Sequence, residues 1–249
     1  MSGRYVALGS SMAAGPGIRP GAPGAPFRSG RSARNYAHLV AGQLELDLVD
    51  VTFSGATTAH VLADRQHGVR PQIEALDGSE ELVTVTIGGN DVGYVPLLMA
   101  ATLPRPARIL PAIRALLDGD ARGQALAGVG ESLRAVGAAA RHRAPRARVV
   151  FVDYLTLLPP DGVPAEPLSA ADADLGRHVA ARLEQATAAA ARATGCQLVR
   201  AGEASRNHHP WSADPWAVGA GWPLPWRPAP FHPNAAGMRA VADLVAVQV

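Results

Sequence analysis

Short runs of apolar residues alternate with longer stretches rich in alanine and leucine along most of the chain. Five of the short runs predict β-strands, because they are rich in β-branched residues and are bounded by turn-forming residues. Since the runs are almost continuously apolar, we expect the strands to be covered on both faces, as in a parallel sheet. The predicted strands are residues 5–9, 46–52, 82–87, 148–153 and 197–201.

The longer stretches predict helices between these strands. Ser169, followed by Asp172, resembles a helix N-cap, and Gly195 stands where that helix would end. Alternating strands and helices predict an α/β fold, here a flavodoxin-like three-layer α/β/α arrangement with a five-stranded parallel sheet, in a single domain over residues 1–249. Functional sites in such folds lie beyond the carboxyl ends of the strands. The predicted helices are residues 33–44, 71–76, 95–101, 106–117, 123–143, 169–194 and about 233–247.

The composition excludes several classes of chemistry. The chain has 249 residues, 48% of them hydrophobic and 18% charged, which is enough to build a sizeable core. It contains no lysine, which excludes a Walker A phosphate loop, a pyridoxal Schiff base and a lysine general base. Cys196 is the only cysteine, which excludes an internal disulfide, a four-cysteine zinc site and an iron–sulfur cluster. We expect no metal and no cofactor.

The N-terminal segment lacks the charged start, apolar stretch and small-residue cleavage site of a signal peptide. No segment approaches the ~18 uninterrupted apolar residues of a membrane span. Together with the lone Cys196, these observations predict a cytoplasmic location, unless a signal segment was removed from the chain. With a formal charge of only +2, the small cluster of arginines at 141–148 is more typical of a solvated helix end than of nucleic-acid binding.

Four polar segments follow predicted strands or open the last predicted helix. Ser11 lies just past the first strand, and Gly55 follows the second, where a glycine lets the backbone approach a substrate. Asn90 follows the third strand, and its neutral amide is a donor suited to a developing oxyanion. His232 precedes Pro233 at the predicted helix start, where the helix dipole would keep the imidazole neutral. Alone, the Gly55 segment is more typical of a loop that enters a helix capped by Thr57 or Ser54, and the other segments are common as ordinary turns or surface residues.

In this order the four segments resemble the SGNH (GDSL-type) hydrolases, a family of esterases, lipases and acyltransferases. The family's blocks are Gly-Asp-Ser, a glycine, Gly-x-Asn-Asp and Asp-x-x-His, and the matching segments span nearly the whole chain. The resemblance implies the SGNH hydrolase fold, Ser11 as nucleophile and His232 as base. It also implies an oxyanion hole formed by the N–H groups of Ser11 and Gly55 and by the side chain of Asn90. The implied enzyme is a carboxylic ester hydrolase that cleaves small or medium acyl esters through a covalent acyl-enzyme, without a metal.

Two positions depart from the family pattern. Ser10 stands where the family has an aspartate before the nucleophile, which we interpret as a local change of hydrogen bonding. Ala229 stands where the family has the triad aspartate, three residues before His232. We expect the backbone carbonyl of Ala229 to accept the Nδ1–H instead, since a carbonyl can also fix the tautomer. Asp214 is the alternative; with neither in reach, the protein would be a slow enzyme or a binding remnant.

Two irregular segments, residues 15–32 and 205–230, also stand out. The second holds all four tryptophans, which we expect either to form a substrate-binding wall or lid beside the last block or to pack over the core. The adjacent histidines at 208 and 209 are interpreted as surface residues, since no third metal ligand has suitable spacing. The tryptophans are Trp211, Trp216, Trp222 and Trp226.

The sequence leaves two other functions open. An acyltransferase or tailoring deacylase would use the same serine and histidine, and a non-catalytic ligand-binding member of the fold would fit the missing aspartate. The acyl chain, the alcohol and the oligomeric state are not encoded in these motifs.

Overall fold

Five parallel strands form the sheet in the computed structural model, which describes residues 2–224 and 227–249. The strands are β1 (Arg4–Gly9), β2 (Asp47–Asp50), β3 (Glu80–Thr86), β4 (Arg148–Val152) and β5 (Gln197–Val199). Their order across the sheet is β2-β1-β3-β4-β5, which is the flavodoxin-like order. All five predicted strands form, although Asp153 leaves the sheet and Ala201 begins a short helix.

Helices of very different lengths connect these strands. They are α1 (Ser11–Ala14), α2 (Tyr36–Gln43), α3 (Thr58–Leu62), α4 (Tyr94–Ala101), α5 (Pro111–Leu116), α6 (Gly119–Arg143), α7 (Ala170–Thr194), α8 (Ala201–Ala204) and α9 (Ala235–Gln248). The predicted helix at 106–117 is divided into a 3₁₀ turn (Arg105–Ile109) and α5, because Pro111 occupies the first position of a new helix. The predicted helix at 71–76 is a 3₁₀ turn (Gln72–Ala75). Neither α1 nor α8 was predicted, because such short helices carry no helical period. The helix start after the Gly55 segment was predicted only from its cap, and α3 begins there with Thr57 as N-cap.

Alternate side chains of each strand face two apolar layers. From β1, Val6 and Leu8 pack with α3, α4, α6 and α7, whereas Tyr5 and Ala7 pack with α2 and α9. Both faces of the strand are therefore buried, which explains why its sequence is continuously apolar. The predicted three-layer α/β/α arrangement is confirmed. Among the helices of the described ranges, none is both long and apolar enough to cross a membrane.

The strand order reverses at β1, which pairs with both β2 and β3. In doubly wound sheets, ligands bind in the crevice outside the carboxyl ends of the strands at such a reversal. The pairing continues one residue past β1, because the Ser10 N–H donates to the carbonyl of Thr86 at 2.9 Å. The loops that follow β1, β2 and β3 therefore meet at one edge of the sheet.

Candidate active site

Ser11 is the first residue of α1, directly beyond the end of β1. The chain leaves β1 after Gly9, which has a φ of 154°. A Cβ atom at this glycine would lie 2.7 Å from the carbonyl oxygen of Thr86, so only glycine fits between the two strands. Ser11 is 8% exposed and lies on the wall of a groove.

His232 lies in the turn before α9 rather than at the start of the helix. The helix begins at Ala235, later than predicted, with Asn234 as its N-cap. Phe231, immediately before the histidine, has a φ of 56°, which is strained for a bulky residue. The Phe231 N–H donates to the Val218 carbonyl, and the Val218 N–H donates to the His232 carbonyl, each at 2.9 Å. These two hydrogen bonds hold the turn, and the ring of Phe231 is fully buried. The surrounding structure thus fixes the direction of the histidine.

The serine and histidine side chains form a hydrogen-bonded pair. His232 Nε2 lies 2.8 Å from Ser11 Oγ, and His232 Nδ1 lies 2.8 Å from the backbone carbonyl oxygen of Pro230. A carbonyl oxygen can only accept, so Nδ1 carries the hydrogen and Nε2 presents its lone pair to the serine hydroxyl. This is the tautomer that can take a proton from Ser11.

The carbonyl that contacts the imidazole belongs to Pro230 and not, as predicted, to Ala229. The Ala229 carbonyl instead accepts the backbone N–H of His232 at 3.2 Å, so it is engaged within the turn. The alternative candidate, Asp214, pairs with His208 at 3.3 Å and not with His232.

Burial governs the protonation of His232, which is 8% exposed. Burial lowers the pKa of the imidazole below its usual 6.5, and the hydrogen bond to the Pro230 carbonyl opposes part of this effect. The sequence suggested the helix dipole as the cause, but the ring lies outside α9. The result is the same, because a neutral imidazole at pH 7 is able to accept a proton.

Three N–H donors lie around the groove that contains Ser11 and His232. They are the backbone N–H groups of Ser11 and Gly55 and the side-chain amide of Asn90. Gly55 occupies a turn closed by a 3.0 Å hydrogen bond from the Ala56 N–H, and its φ of 79° fits the glycine position of a type II turn. Asn90 Nδ2 donates to the Ala56 carbonyl at 2.8 Å, which orients the amide and leaves its second hydrogen for a ligand. Within the described residues, the backbone N–H groups of Ser11 and Gly55 have no acceptor.

Side chains other than those of the reacting groups hold these loops together. The buried Gln72 side chain accepts from the Gly9 N–H at 2.7 Å and donates to the Gly9 carbonyl at 3.0 Å. Asp91 accepts from the N–H and the hydroxyl of Thr58 at 3.1 and 2.5 Å, which ties the loop of Asn90 to the start of α3. Nothing in the sequence marks Gln72 or Thr58, because their partners lie far along the chain. Asp91 belongs to the Gly-x-Asn-Asp block, where it has no assigned role.

The groove has a volume of about 330 Å³ and brings the predicted residues Ser11, Gly55, Asn90 and His232 together. One wall of the groove is apolar. It is formed by Pro16, Val95, Pro96, Met99 and Ala229. A nucleophile with a neutral base, free N–H donors and an apolar wall is the set of groups that acyl transfer requires.

The tryptophans in the described part of the chain do not line this groove. Trp211 Nε1 donates to the carbonyl of Glu166 at 3.1 Å, and Trp216 stacks on His208 with ring centroids 4.0 Å apart. Trp222 is 82% exposed. These three residues therefore form no wall of the groove, and neighbouring side chains and backbone groups contact the first two. A substrate-binding role for them stays a prediction. Trp226 lies outside the described residues.

The adjacent histidines take part in local contacts. His208 Nδ1 lies 2.8 Å from the carbonyl oxygen of Asp214, and His209 Nδ1 accepts from the N–H of Trp211 at 3.2 Å. Across residues 2–224 and 227–249, no group of three or more His, Cys, Asp or Glu side chains is placed to hold a metal ion.

Known proteins resemble this chain over almost its full length. A model of the GDSL-like lipase/acylhydrolase family matches residues 7–240. Lipase 2 of Streptomyces coelicolor is 34% identical over 252 aligned residues, which cover 96% of this chain and 83% of that protein. The crystal structure of phospholipase A1 from Streptomyces albidoflavus superposes with a TM-score of 0.81 at 26% identity, covering 100% of this chain and 99% of the other. An extracellular lipase from Streptomyces rimosus gives 0.80 at 25% identity, with 99% of each chain covered.

These three relatives are all named for the cleavage of ester bonds. Hydrolysis is therefore favoured over acyl transfer, tailoring deacylation and non-catalytic binding. The five-stranded parallel sheet and the order of the sequence blocks agree with this result. The chain belongs to the GDSL-like lipase/acylhydrolase family, and it is a carboxylic ester hydrolase with the SGNH fold.

Proposed function

We propose that this hydrolase cleaves small to medium acyl esters, with Ser11 as nucleophile, His232 as general base and a covalent acyl-enzyme as intermediate. The observation that carries the proposal is the pair of 2.8 Å contacts from Ser11 Oγ to Nε2 and from Nδ1 to the Pro230 carbonyl. They provide a neutral base within hydrogen-bond reach of the nucleophile. The carbonyl takes the orienting role that an aspartate has in a Ser-His-Asp triad.

In the acylation step, Ser11 Oγ bonds to the ester carbonyl carbon while its proton passes to His232 Nε2. The carbonyl π electrons move onto the oxygen and give a tetrahedral oxyanion. We assign its stabilisation to the N–H groups of Ser11 and Gly55 and to the second amide hydrogen of Asn90. Collapse of this intermediate breaks the bond to the alcohol oxygen, which takes the proton from the imidazolium, and the acyl group stays on Oγ.

In the deacylation step, a water molecule gives a proton to His232 Nε2 and attacks the acyl carbon. The same donors receive the second oxyanion. Its collapse breaks the bond to Ser11 Oγ, which regains the proton, and the carboxylic acid leaves. Because the Pro230 carbonyl carries no full charge, it stabilises the imidazolium less than a carboxylate would, so the base works at a lower pKa.

The apolar wall of the groove supports an acyl chain of small or medium length. Pro16, Val95, Pro96 and Met99 offer carbon surface beside the serine, and the groove volume is about 330 Å³. The names of the relatives, lipase and phospholipase A1, add lipid esters as a candidate substrate class.

Labelling with a fluorophosphonate, followed by intact mass and peptide mapping, tests the nucleophile directly. We expect a single adduct on Ser11 that is absent in Ser11→Ala. In His232→Ala the labelling rate should fall at least about 100-fold, since general-base assistance is worth that much or more. No adduct on wild-type protein with a cooperative unfolding transition would overturn the proposal.

His208→Ala is the matched control for the histidine variant. Its ring also contacts a backbone carbonyl at 2.8 Å, but it stacks on Trp216 rather than facing Ser11. We expect its labelling rate to equal that of the wild type. An equal loss of labelling in both histidine variants would mean that structural damage, and not loss of the base, is being measured.

Substrate length and reaction type can be measured together. We expect kcat/KM on p-nitrophenyl esters to peak between butyrate and decanoate and to fall for palmitate. With an added acceptor alcohol, the free acid should remain the main product. A maximum at palmitate would contradict the chain-length proposal, and predominant ester formation would contradict hydrolysis.

The cytoplasmic location stays a prediction, supported by the single, partly buried thiol of Cys196. Fractionation of producing cells tests it. We expect the protein in the soluble cell extract, and its recovery mainly from the medium would contradict the prediction.

A further inference from the structure

The hydroxyl of Tyr154 joins the two turns on which the reaction depends. Tyr154 follows β4, far along the chain from both turns. Its Oη lies 3.0 Å from Ser10 Oγ and accepts a hydrogen bond from the Gly89 N–H at 3.0 Å. We propose that Tyr154 is a positioning residue of the hydrolase, which holds the loop of Asn90 in register with the nucleophile turn; this inference rests on the function proposed above.

Each contact of the tyrosine lies one residue from a reacting group. Ser10 directly precedes Ser11, and Gly89 directly precedes Asn90. A shift of either peptide therefore changes the distance between the nucleophile and the side-chain donor for the oxyanion. Displacements of about 1 Å in such arrangements cost roughly 100-fold in rate.

The loop of Asn90 is held on two sides, and the Asp91–Thr58 contact lies on the same side as the Asn90 side chain. The Asn90 side chain donates to the Ala56 carbonyl at 2.8 Å, on the side of the Gly55 turn. On the other side, the preceding peptide donates to Tyr154. Without the phenol, the contacts of Asn90 and Asp91 would still hold the loop on the side of α3, but no hydrogen bond would hold the Gly89 peptide toward the nucleophile turn.

The tyrosine ring also packs directly on the loop. A Cβ atom at Gly89 would overlap Cε2 of Tyr154, so position 89 accepts only glycine while the ring stays in place. The glycine of the Gly-x-Asn-Asp block and the tyrosine after β4 are thus matched in shape as well as in hydrogen bonding.

This contact also explains the serine at position 10. Ser10 is 1% exposed, and its hydroxyl meets a second hydroxyl. Burial raises the pKa of Tyr154 to about 12, so the phenol keeps its proton at any working pH. The hydroxyls of Ser10 and Tyr154 and the Gly89 N–H form hydrogen bonds with one another, and none of them carries a charge. A carboxylate at position 10 would be buried in the same place, at a cost in desolvation.

Tyr154→Phe is the test, because it removes the hydroxyl and keeps the ring. On p-nitrophenyl butyrate we expect kcat to fall roughly 10- to 100-fold, with KM within about twofold, since the groove wall is untouched. Phosphonylation of Ser11 should slow by a similar factor. The acidic limb of kcat/KM against pH should stay in place, because Tyr154 does not contact His232.

Tyr5→Phe is the matched control. Tyr5 is also fully buried, and its hydroxyl lies 2.7 Å from Thr84 Oγ1, but it faces α2 and α9 and contacts neither turn. We expect a comparable fall in Tm for both tyrosine variants and a fall in kcat for Tyr154→Phe alone. Equal kcat losses in the two variants would assign Tyr154 a purely structural role and overturn the inference.

Ser10→Ala keeps the test decisive if Tyr154→Phe does not fold. It removes the other hydroxyl, so we expect a smaller fall in kcat and an unchanged KM. The double variant Ser10→Ala/Tyr154→Phe should be no slower than Tyr154→Phe alone, because both changes break the same hydrogen bond between Ser10 and Tyr154. Wild-type kcat in Ser10→Ala and Tyr154→Phe, with Ser11 still labelled, would overturn the positioning role and leave the proposed function intact. Failure of the wild type to label would instead remove the proposed function.

Discussion

The contact between His232 Nδ1 and the Pro230 carbonyl separates two roles that an aspartate performs together in a triad. The carbonyl orients the imidazole and fixes its tautomer, at a distance of 2.8 Å. It does not supply a negative charge to stabilise the imidazolium. Burial of the ring then dominates, and the pKa of His232 is lowered. At the scale of single residues, the site therefore contains a weak base in the correct orientation.

The pH dependence of kcat/KM follows from this arrangement. His232 must be neutral to take the Ser11 proton, and its pKa lies below the usual 6.5. We therefore expect activity to rise with pH along a single acidic limb with an apparent pKa below 6.5, and to be on its plateau by pH 7. Rates on a p-nitrophenyl ester from pH 4.5 to 8 measure this. A midpoint above 7 would mean that a negative charge near the ring stabilises the imidazolium, contrary to the contacts of His232.

A carboxylate at position 229, where the family has its triad aspartate, should shift the acidic limb of the pH profile. Ala229 lines the groove beside His232, so Ala229→Asp places a negative charge near the ring. An opposite charge favours the imidazolium, and we expect the acidic limb to shift to higher pH by roughly one unit. We expect no gain in plateau kcat, because the Pro230 carbonyl already takes the Nδ1–H. Ala229→Asn is the uncharged control, and it should leave the limb unmoved.

At the scale of elements, the chemistry depends on short segments rather than on the long helices. The nucleophile sits on the four-residue helix α1, and Gly55 sits on a tight turn before the five-residue α3. These pieces are too short to be stable on their own. They are held by side chains from elsewhere, among them Gln72 and Asp91.

Gln72→Leu should measure how much such support contributes. The variant leaves the buried Gly9 N–H without its acceptor and removes one donor from the Gly9 carbonyl. We expect the free energy of unfolding in urea to fall by roughly 2–3 kcal/mol. Gln43→Leu removes an exposed amide that donates to Asp243, and should cost less than about 0.5 kcal/mol. Equal losses in both variants would mean that the Gly9 contacts carry no special stability.

At the scale of the whole molecule, closing both faces of the sheet also buries an ionisable group. Asp153 follows β4 and is 4% exposed, beside a cavity of about 320 Å³. Its Oδ1 accepts from the Gly202 N–H at 2.7 Å, and its Oδ2 has no partner among the described residues. Burial, reinforced by the charge of Glu184, raises the pKa of Asp153 to about 7. The folded protein therefore holds a proton that the unfolded chain releases near pH 4.

The stability of the protein should consequently fall as pH rises from about 4 to 7. In this range the folded state binds more protons than the unfolded state, so the free energy of unfolding decreases as pH rises. The contribution of Asp153 to this decrease is roughly 4 kcal/mol in total. Asp153→Asn should flatten the curve measured by urea denaturation at pH 5, 6, 7 and 8. Asp64→Asn, at an exposed position, should keep the wild-type slope. A wild-type slope in Asp153→Asn would assign the pH dependence to another group.

Much of the fold was predictable because its signals are local. Continuous apolar runs predicted the five strands, and cap residues placed the long helix α7 between Ser169 and Gly195. The four segments that carry Ser11, Gly55, Asn90 and His232 were recognisable because each follows a strand or precedes the last helix. The short helices α1 and α8 were missed, because their conformation comes from contacts with other parts of the chain.

The sequence by itself determined the parallel sheet, the edge at which the polar segments meet, and the family to which they belong. Each of these depends on residue types within short segments and on the order of those segments along the chain. The tertiary structure decided that Pro230 and not Ala229 contacts His232, that Trp211 and Trp216 pack away from the groove, and that Tyr154 joins the two turns. Hydrogen bonds reach only about 3 Å, so the partners are set by how the backbone turns in space, which spacing along the chain does not specify.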